Sequence, residues 1–266
     1  MSVPKEADPE VIPCENRTDS HGLILAYSWG RINYLSFYYE NMIPKIFHYC
    51  WFGGGPESHA EFRKGWQQIH PNWNIRRWDE ETCAEIDHPY YRTALETKSW
   101  ANAANYVRIY NLQRFGGVYL DTDVEVIKPF DDILDCPAFV GFQIAPELYR
   151  EDEMVNNAVW GSTPDHECLE RLLWTFDVLN GDERANISSP RLITDYLVQH
   201  GLKYGEEKVR CADIDVYPKD VFYPYSWKEK YSPECITERT RAIHHWDLSW
   251  WKSPFSKIEK NPISNA

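Results

Sequence analysis

The sequence predicts a single α/β domain, and three observations carry that prediction. A strand-like run, Pro44 to Trp51, ends in Phe52-Gly53-Gly54-Gly55. The clearest helical periodicity in the chain, Thr97 to Phe115, is followed at once by Gly116-Gly117 and the short apolar run Val118-Tyr119-Leu120. Further strand and helix candidates succeed these, with no repeat, low-complexity block or convincing linker inside 42–255. A buried strand running into a glycine loop is a common ligand position in an open α/β sheet, and mixed helical and strand periods around one core favour this class.

Taken in order, Met1 to Ser20 is rich in Pro, Glu and Asp and reads as a flexible leader within an N-terminal extension, 1–41. Ordered folding is expected from Met42, with the domain at 42–255 and a C-terminal tail at 256–266. After the first strand and its glycine loop, a helix is expected over Ser58–Ile69, stopped by His70-Pro71, and a second strand over Asn74–Trp78. Asp79-Glu80-Glu81 reads as a charged helix start, followed by a less regular stretch containing Pro89. In the helix Thr97–Phe115, Trp100, Ala103, Ala104, Val107 and Tyr110 form one apolar face, and Asn102, Asn105 and Arg108 line another. Gly116-Gly117 ends it, because glycine accepts the positive φ of a helix terminus. Val118–Leu120 is then a short buried strand, Ala138–Phe142 another, and helices are expected over His166–Leu179 and Arg191–His200.

The composition bounds the function. The 266 residues are 43% hydrophobic, enough for a substantial core, and a formal net charge of −13 disfavours general nucleic-acid binding. Seven cysteines at 14, 50, 83, 136, 168, 211 and 235 form no Cys-x-x-Cys pair, which predicts reduced thiols. The first twenty residues are polar with five acidic groups, and Leu23–Tyr39 is too short and too polar to span a bilayer comfortably. The expectation is a cytoplasmic protein, with contact at the inner face of a membrane peripheral at most. Twelve tryptophans, within 15% aromatics, make a high count; most are expected to fill the core, and flat rings also stack on sugars and bases.

The strand Val118–Leu120 runs directly into Asp121-Thr122-Asp123. On an extended segment, carboxylates one residue apart point to the same side. Short aspartate stems at the carboxyl edge of a sheet suit a hard cation such as Mn²⁺ or Mg²⁺, which also takes diphosphate oxygens. An acidic protein can then hold an anionic ligand without a basic patch. By itself an Asp-x-Asp triplet is also the pattern of a solvated turn; the helix, glycine turn and buried strand that launch this one favour a site.

Three blocks in order resemble glycosyltransferase family 32, the sugar-transferase group with the Asp-x-Asp region, and more distantly the clostridial glucosylating toxins. They are Ile43–Gly54, Trp100–Arg108 through Gly116–Glu125, and Ala242-Ile243-His244-His245-Trp246 with Ser249-Trp250. The resemblance implies a GT-A fold, a Rossmann-like mixed sheet flanked by helices, and transfer of a hexose with retention from a nucleotide-sugar donor, a UDP-sugar being favoured, to a glycan acceptor, as in surface polysaccharide synthesis. It implies that Asp123 binds the metal directly and that Asp121 reaches it through water or holds the ribose and sugar. Arg108 would reach the donor sugar or phosphate, Trp51 would stack on the base, and His244 would return to the metal or diphosphate. Ser249 and Trp250 would close over the phosphates, with Asn156-Asn157-Ala158 near sugar or acceptor. Asn105 stands where many relatives carry an aspartate, so sugar choice or turnover is expected to differ. Two other readings stay open on the sequence: a metal-dependent phosphohydrolase, for which Glu125 is the close extra acid, and a sugar-nucleotide-binding relative without turnover.

Overall fold

The structure is a computed structural model and describes residues 42–143, 154–181 and 188–247. The leader, the 256–266 tail, Ser249 and Trp250 fall outside the described residues.

A seven-stranded mixed sheet organises the chain from Asn41 onward. Its strands are β1 (Ile46–Cys50), β2 (Asn74–Trp78), β3 (Gly117–Leu120), β5 (Ala138–Phe142), β6 (Val155–Ser162), β7 (Val209–Cys211) and β8 (Ile214–Tyr217), in the order β2-β1-β3-β6-β5-β8-β7. β2, β1 and β3 are parallel; β6 runs antiparallel to both β3 and β5; β8 is parallel to β5. A separate two-stranded ladder pairs β4 (Val124–Val126) with β9 (Ala242–His244). The helices are α1 (Ala60–Ile69), α2 (Pro89–Glu96), α3 (Trp100–Phe115), α4 (Glu167–Phe176), α5 (Ser189–Gln199) and the single turn α6 (Lys219–Phe222). This is a Rossmann-like mixed sheet flanked by helices, as the resemblance implies: a parallel half continued by an antiparallel strand into a second half.

Two cores lie on the two faces of the sheet, and β3 divides its side chains between them. Val118 and Leu120 join Phe47, Trp66 and Val159 on one face, and Tyr119 joins Val107, Leu112 and Trp160 on the other. A strand buried on both faces explains why the sequence shows a continuous apolar run rather than an alternation. It also accounts for many of the rings: Trp66 and Trp160 are fully buried.

Several expectations need correction. The acidic stretch 79–81 begins a turn and not a helix, because Asp79 and Thr82 exchange hydrogen bonds: Thr82 N donates to Asp79 Oδ1 at 2.9 Å and Asp79 N to Thr82 Oγ1 at 2.8 Å. The helix comes later, α2, with Pro89 in its first turn and His88 as its cap. α3 is buried on more than the expected face, since Asn102, Tyr106, Arg108, Ile109 and Asn111 are buried beside Ala103 and Val107. Packing against β1, β3, α2 and α4 surrounds it. β6, which carries Asn156 and Asn157, has no counterpart in the sequence reading.

The Gly116-Gly117 pair has a specific cause. Both take positive φ, 60° and 105°, and a Cβ on Gly117 would lie 2.7 Å from Ile46 O and 2.8 Å from His48 Nε2. Only glycine lets the helix exit turn this sharply and lay β3 against β1.

Candidate metal and donor site

β3 delivers Asp121 to the carboxyl edge of the sheet, beside the end of β1, where Cys50, Trp51 and the glycine loop begin. The two aspartates do not sit on an extended segment, as the sequence suggested. Val124 N donates to Asp121 O at 3.1 Å, so 121–124 is a turn that redirects the chain from β3 into β4. The carboxylates converge through that turn and not through the pleat. Trp66 of α1 holds the exit, donating from Nε1 to Val124 O at 2.9 Å.

The β4–β9 ladder then supplies a residue from late in the chain. His244 pairs with Val124, directly after Asp123, and its Nε2 lies 3.3 Å from Asp123 Oδ1. One ligand atom each from Asp121, Asp123 and His244 lies within 4.8 Å of the others. This is the one such group of three or more His, Cys, Asp or Glu side chains found among the described residues. His245, next along, alternates to the opposite side and meets Glu125 Oε2 at 2.9 Å, stacked on Phe62. Glu125, the extra acid weighed for a hydrolase, is thus engaged away from the aspartates.

Electrostatics bind the group. Burial alone would raise the Asp123 carboxyl, but the His244 charge and hydrogen bond, with the N–H of Asp247 at 2.8 Å from Oδ2, hold it well below the usual carboxylate range. Burial likewise would lower His244, and the Asp123 charge and hydrogen bond, with the Asp121 charge, outweigh it and raise its pKa. His244 Nδ1 is buried with no hydrogen-bond partner. Two carboxylates and an imidazole, with oxygen donors in the majority, fit Mn²⁺ or Mg²⁺.

Arg108 of α3 reaches across to this group. Its Nη2 donates to Asp121 Oδ1 at 2.7 Å, and its Nη1 to Asn157 O at 2.8 Å and Asn157 Oδ1 at 2.5 Å. Its guanidinium lies 4.3 Å from the centroid of the Tyr119 ring. Asn156, by contrast, is structural: Nδ2 donates to Gln143 Oε1 and Oδ1 accepts from Ala158 N. Asn105 lies one turn before Arg108, half-buried. Trp51 is half-buried at the head of the glycine loop, with Nε1 3.4 Å from Gly55 O, and it packs partly against the core on one face.

The sequence reading missed two contributors. Tyr223 sits beneath the site, accepting Val159 N at 2.9 Å and stacked edge-on to His244. Ser189 donates from Oγ to Asn157 Oδ1 at 3.1 Å. Neither lies in a block that marks the family resemblance, and each is brought in by long-range packing.

An α/β sheet that ends in an acid pair, backed by an arginine and closed by a histidine, makes a candidate metal-and-anion site. Residues 56–140 match the family described as glycosyltransferase sugar-binding region containing DXD motif. Among curated relatives, "Glucan organizing enzyme 1" of Cryptococcus neoformans var. grubii is 29% identical over 53% of this chain and 36% of its own length. "Inositol phosphoceramide mannosyltransferase 3" of Schizosaccharomyces pombe is 32% identical over 37% of this chain and 29% of its own. An uncharacterised glycosyltransferase of Acanthamoeba polyphaga mimivirus is 24% identical over 82% of this chain and 87% of its own. The chain spans about a third of the length of the first two of these. Solved structures with similar coordinates include "PaToxG Glycosyltransferase", at 17% identity and a TM-score of 0.46 over 68% of this chain and 80% of that one.

Proposed function

We propose that this protein is a divalent-metal-dependent, retaining glycosyltransferase that moves a hexose from a nucleotide-sugar donor to a hydroxyl of a glycan acceptor. The observation that carries the reading is the convergence of Asp121, Asp123 and His244 within 4.8 Å beside Arg108, at the carboxyl edge of β3. Asp123 and His244 would hold Mn²⁺ or Mg²⁺, with Asp121 reaching it directly or through water. When bound, such an ion offsets the diphosphate charge and stabilises the leaving group.

The chain's own residues position the reactants. Trp51 offers a ring face to the base, and Asn105, Arg108 and Asn157 border the sugar. No side chain among the described residues is placed as a covalent nucleophile, and front-side displacement is the proposed course. The acceptor hydroxyl attacks the anomeric carbon on the face from which the nucleoside diphosphate departs, and the departing phosphate oxygen takes its proton. Orientation and charge stabilisation supply the rate.

A UDP-sugar is the favoured donor. For the acceptor, a growing surface glycan is one proposal. The names of relatives, among them "Lactosylceramide 4-alpha-galactosyltransferase" of Mus musculus, favour a second, a glycan head carried on a lipid. No helix among the described residues is long and apolar enough to cross a membrane. The phosphohydrolase reading loses support from Glu125, which is engaged by His245 rather than turned to a second metal.

The test is a panel of nucleotide sugars with Mn²⁺, scored for nucleoside diphosphate release with and without chelator. Chelator-sensitive release from one donor supports the proposal. Binding of a donor with no release under any acceptor would favour the non-catalytic reading, and phosphate release from simple phosphoesters would favour the hydrolase.

A further inference from the structure

We infer that Ser189 is a positioning residue for the donor sugar, acting through the amide of Asn157; the inference rests on the reading of the site as a nucleotide-sugar pocket. Asn157 is 1% exposed on β6. Its Oδ1 accepts from two directions, Arg108 Nη1 at 2.5 Å and Ser189 Oγ at 3.1 Å. The guanidinium, which can only donate, fixes which way the amide faces, since a flip would set its NH₂ against it; the Ser189 hydroxyl then holds the oxygen from its second side.

With the oxygen so committed, the nitrogen is left over. Asn157 Nδ2 is buried and has no hydrogen-bond partner, and the same holds for Arg108 Nε. Two orphaned donors on one hydrogen-bonded pair, joined through Arg108 to Asp121, call for acceptor oxygens from a ligand. Hydroxyl oxygens of a sugar meet that demand. A pocket that presents donors to particular hydroxyls rejects a sugar lacking an oxygen there, because its own polar groups are then left unpaired.

Ser189 stands in the first turn of α5, whose cap Ser188 accepts from Arg191 N, so its hydroxyl is held by a regular helix rather than by a loose loop. It is 3% exposed, with its place set by burial. Its contribution is to hold the Asn157 amide in one rotamer while Arg108 serves both Asn157 and Asp121.

The experiment compares Ser189→Ala, Ser189→Thr and Asn157→Asp with wild type. Each is titrated with Mn²⁺ plus the nucleoside diphosphate alone, and with Mn²⁺ plus the nucleotide sugar that wild type binds most tightly. Ser189→Ala should weaken nucleotide-sugar binding about fivefold, the worth of one buried hydrogen bond, and leave the nucleoside diphosphate within about twofold. Ser189→Thr should restore the sugar-dependent gain, and Asn157→Asp, which replaces the donor by an acceptor, should abolish it. Preference between epimeric sugars should narrow in parallel. Equal weakening of both ligands in Ser189→Ala, or an unchanged sugar-dependent gain, would overturn the inference while leaving the functional proposal intact. Failure of wild type to bind either ligand would instead overturn the functional reading and the inference with it.

Discussion

Replacing Arg108 by methionine tests whether this side chain organises the site or decorates it. The guanidinium is 4% exposed and makes three hydrogen bonds, two to Asn157 and one to Asp121. Methionine keeps most of the apolar stem but none of the donors. The Asn157 carbonyl loses its buried side-chain donor, and Asn157 Oδ1 keeps Ser189 alone. Bonds from a charged donor are worth about 1.5–3 kcal/mol each where buried. The Asp121 pair counts for less, since 30% of that side chain is exposed and water can replace the guanidinium. The lost ring contact with Tyr119 is partly recovered by the thioether. The sum is a destabilisation of about 2–4 kcal/mol, set by the Asn157 side of the arrangement. Urea melts should show it as a midpoint lower by about 1–2 M, with m unchanged. Arg108→Lys should fall between, because one ammonium cannot serve Asn157 and Asp121 in the planar fork that Arg provides. A Met variant within about 0.5 kcal/mol of wild type would refute the reasoning, whatever its activity.

Three further outcomes follow from the same geometry. Asp123→Ala should abolish chelator-sensitive turnover while the circular dichroism of the fold is retained; normal activity in that variant would sink the metal assignment. Gly117→Ala forces a Cβ to within 2.7 Å of Ile46 O at a φ of 105°, so thermal melts should show a loss of roughly 2–4 kcal/mol, and a loss below 1 kcal/mol would mean that β3 can shift. His48 is buried between Trp78 and Phe115, with Nε2 at 2.8 Å from Gly116 O and Nδ1 accepting from Trp78 Nε1 at 3.0 Å, and burial, its main cause, lowers its pKa to about 4. A lowered histidine pKa means that the unfolded chain takes up a proton from pH 6.5 downward while the native one resists until about 4, so this residue withdraws about 3 kcal/mol of stability across that window and none above it. A histidine NMR titration should show one imidazole flat down to pH 5; a midpoint near 6.5 for His48 would contradict its neutral, doubly bonded state.

How much of this was legible in the sequence depends on the range of the interaction. The helix–glycine–strand–acid succession from Trp100 to Asp123 is local, and each step has a residue-level cause: periodicity, positive φ at Gly116 and Gly117, and a run buried on both faces. His244 could be named because Ala242-Ile243-His244 resembles a family block, but its place opposite Val124 comes from a ladder between segments far apart in the chain. Periodicity also misread α3, where Asn102 and Arg108 look like a polar face and are buried. A polar residue at a packed position is distinguishable from a solvated one only once its partner is known; here the partners are Gly181 O for Asn102, and Asn157 with Asp121 for Arg108. The 121–124 turn was read as strand for a related reason: two aspartates around a threonine suit either, and the choice is made by Trp66 and β9, which pull Val124 out of the line of β3.

The pairing of charges at the centre explains why an acidic protein would need a divalent cation here rather than more lysines. Asp121 is matched by Arg108, and Asp123 lies against His244, so at most the two carboxylates are balanced by two cations and no positive charge is left over. Such a quartet exerts little pull on a diphosphate, and the remainder of a chain with net charge −13 repels it. A doubly charged ion held by the two carboxylates and the neutral imidazole, with Arg108 retained, would leave the group net positive without altering the surface. Nucleoside diphosphate affinity on this view is gated by the ion. It should fall steeply with chelation, and far less with salt than it would for a lysine-lined pocket, because a desolvated ion–diphosphate contact is screened less than exposed ammonium groups. A titration showing strong salt dependence and indifference to chelator would mean that the attraction lies elsewhere on the protein.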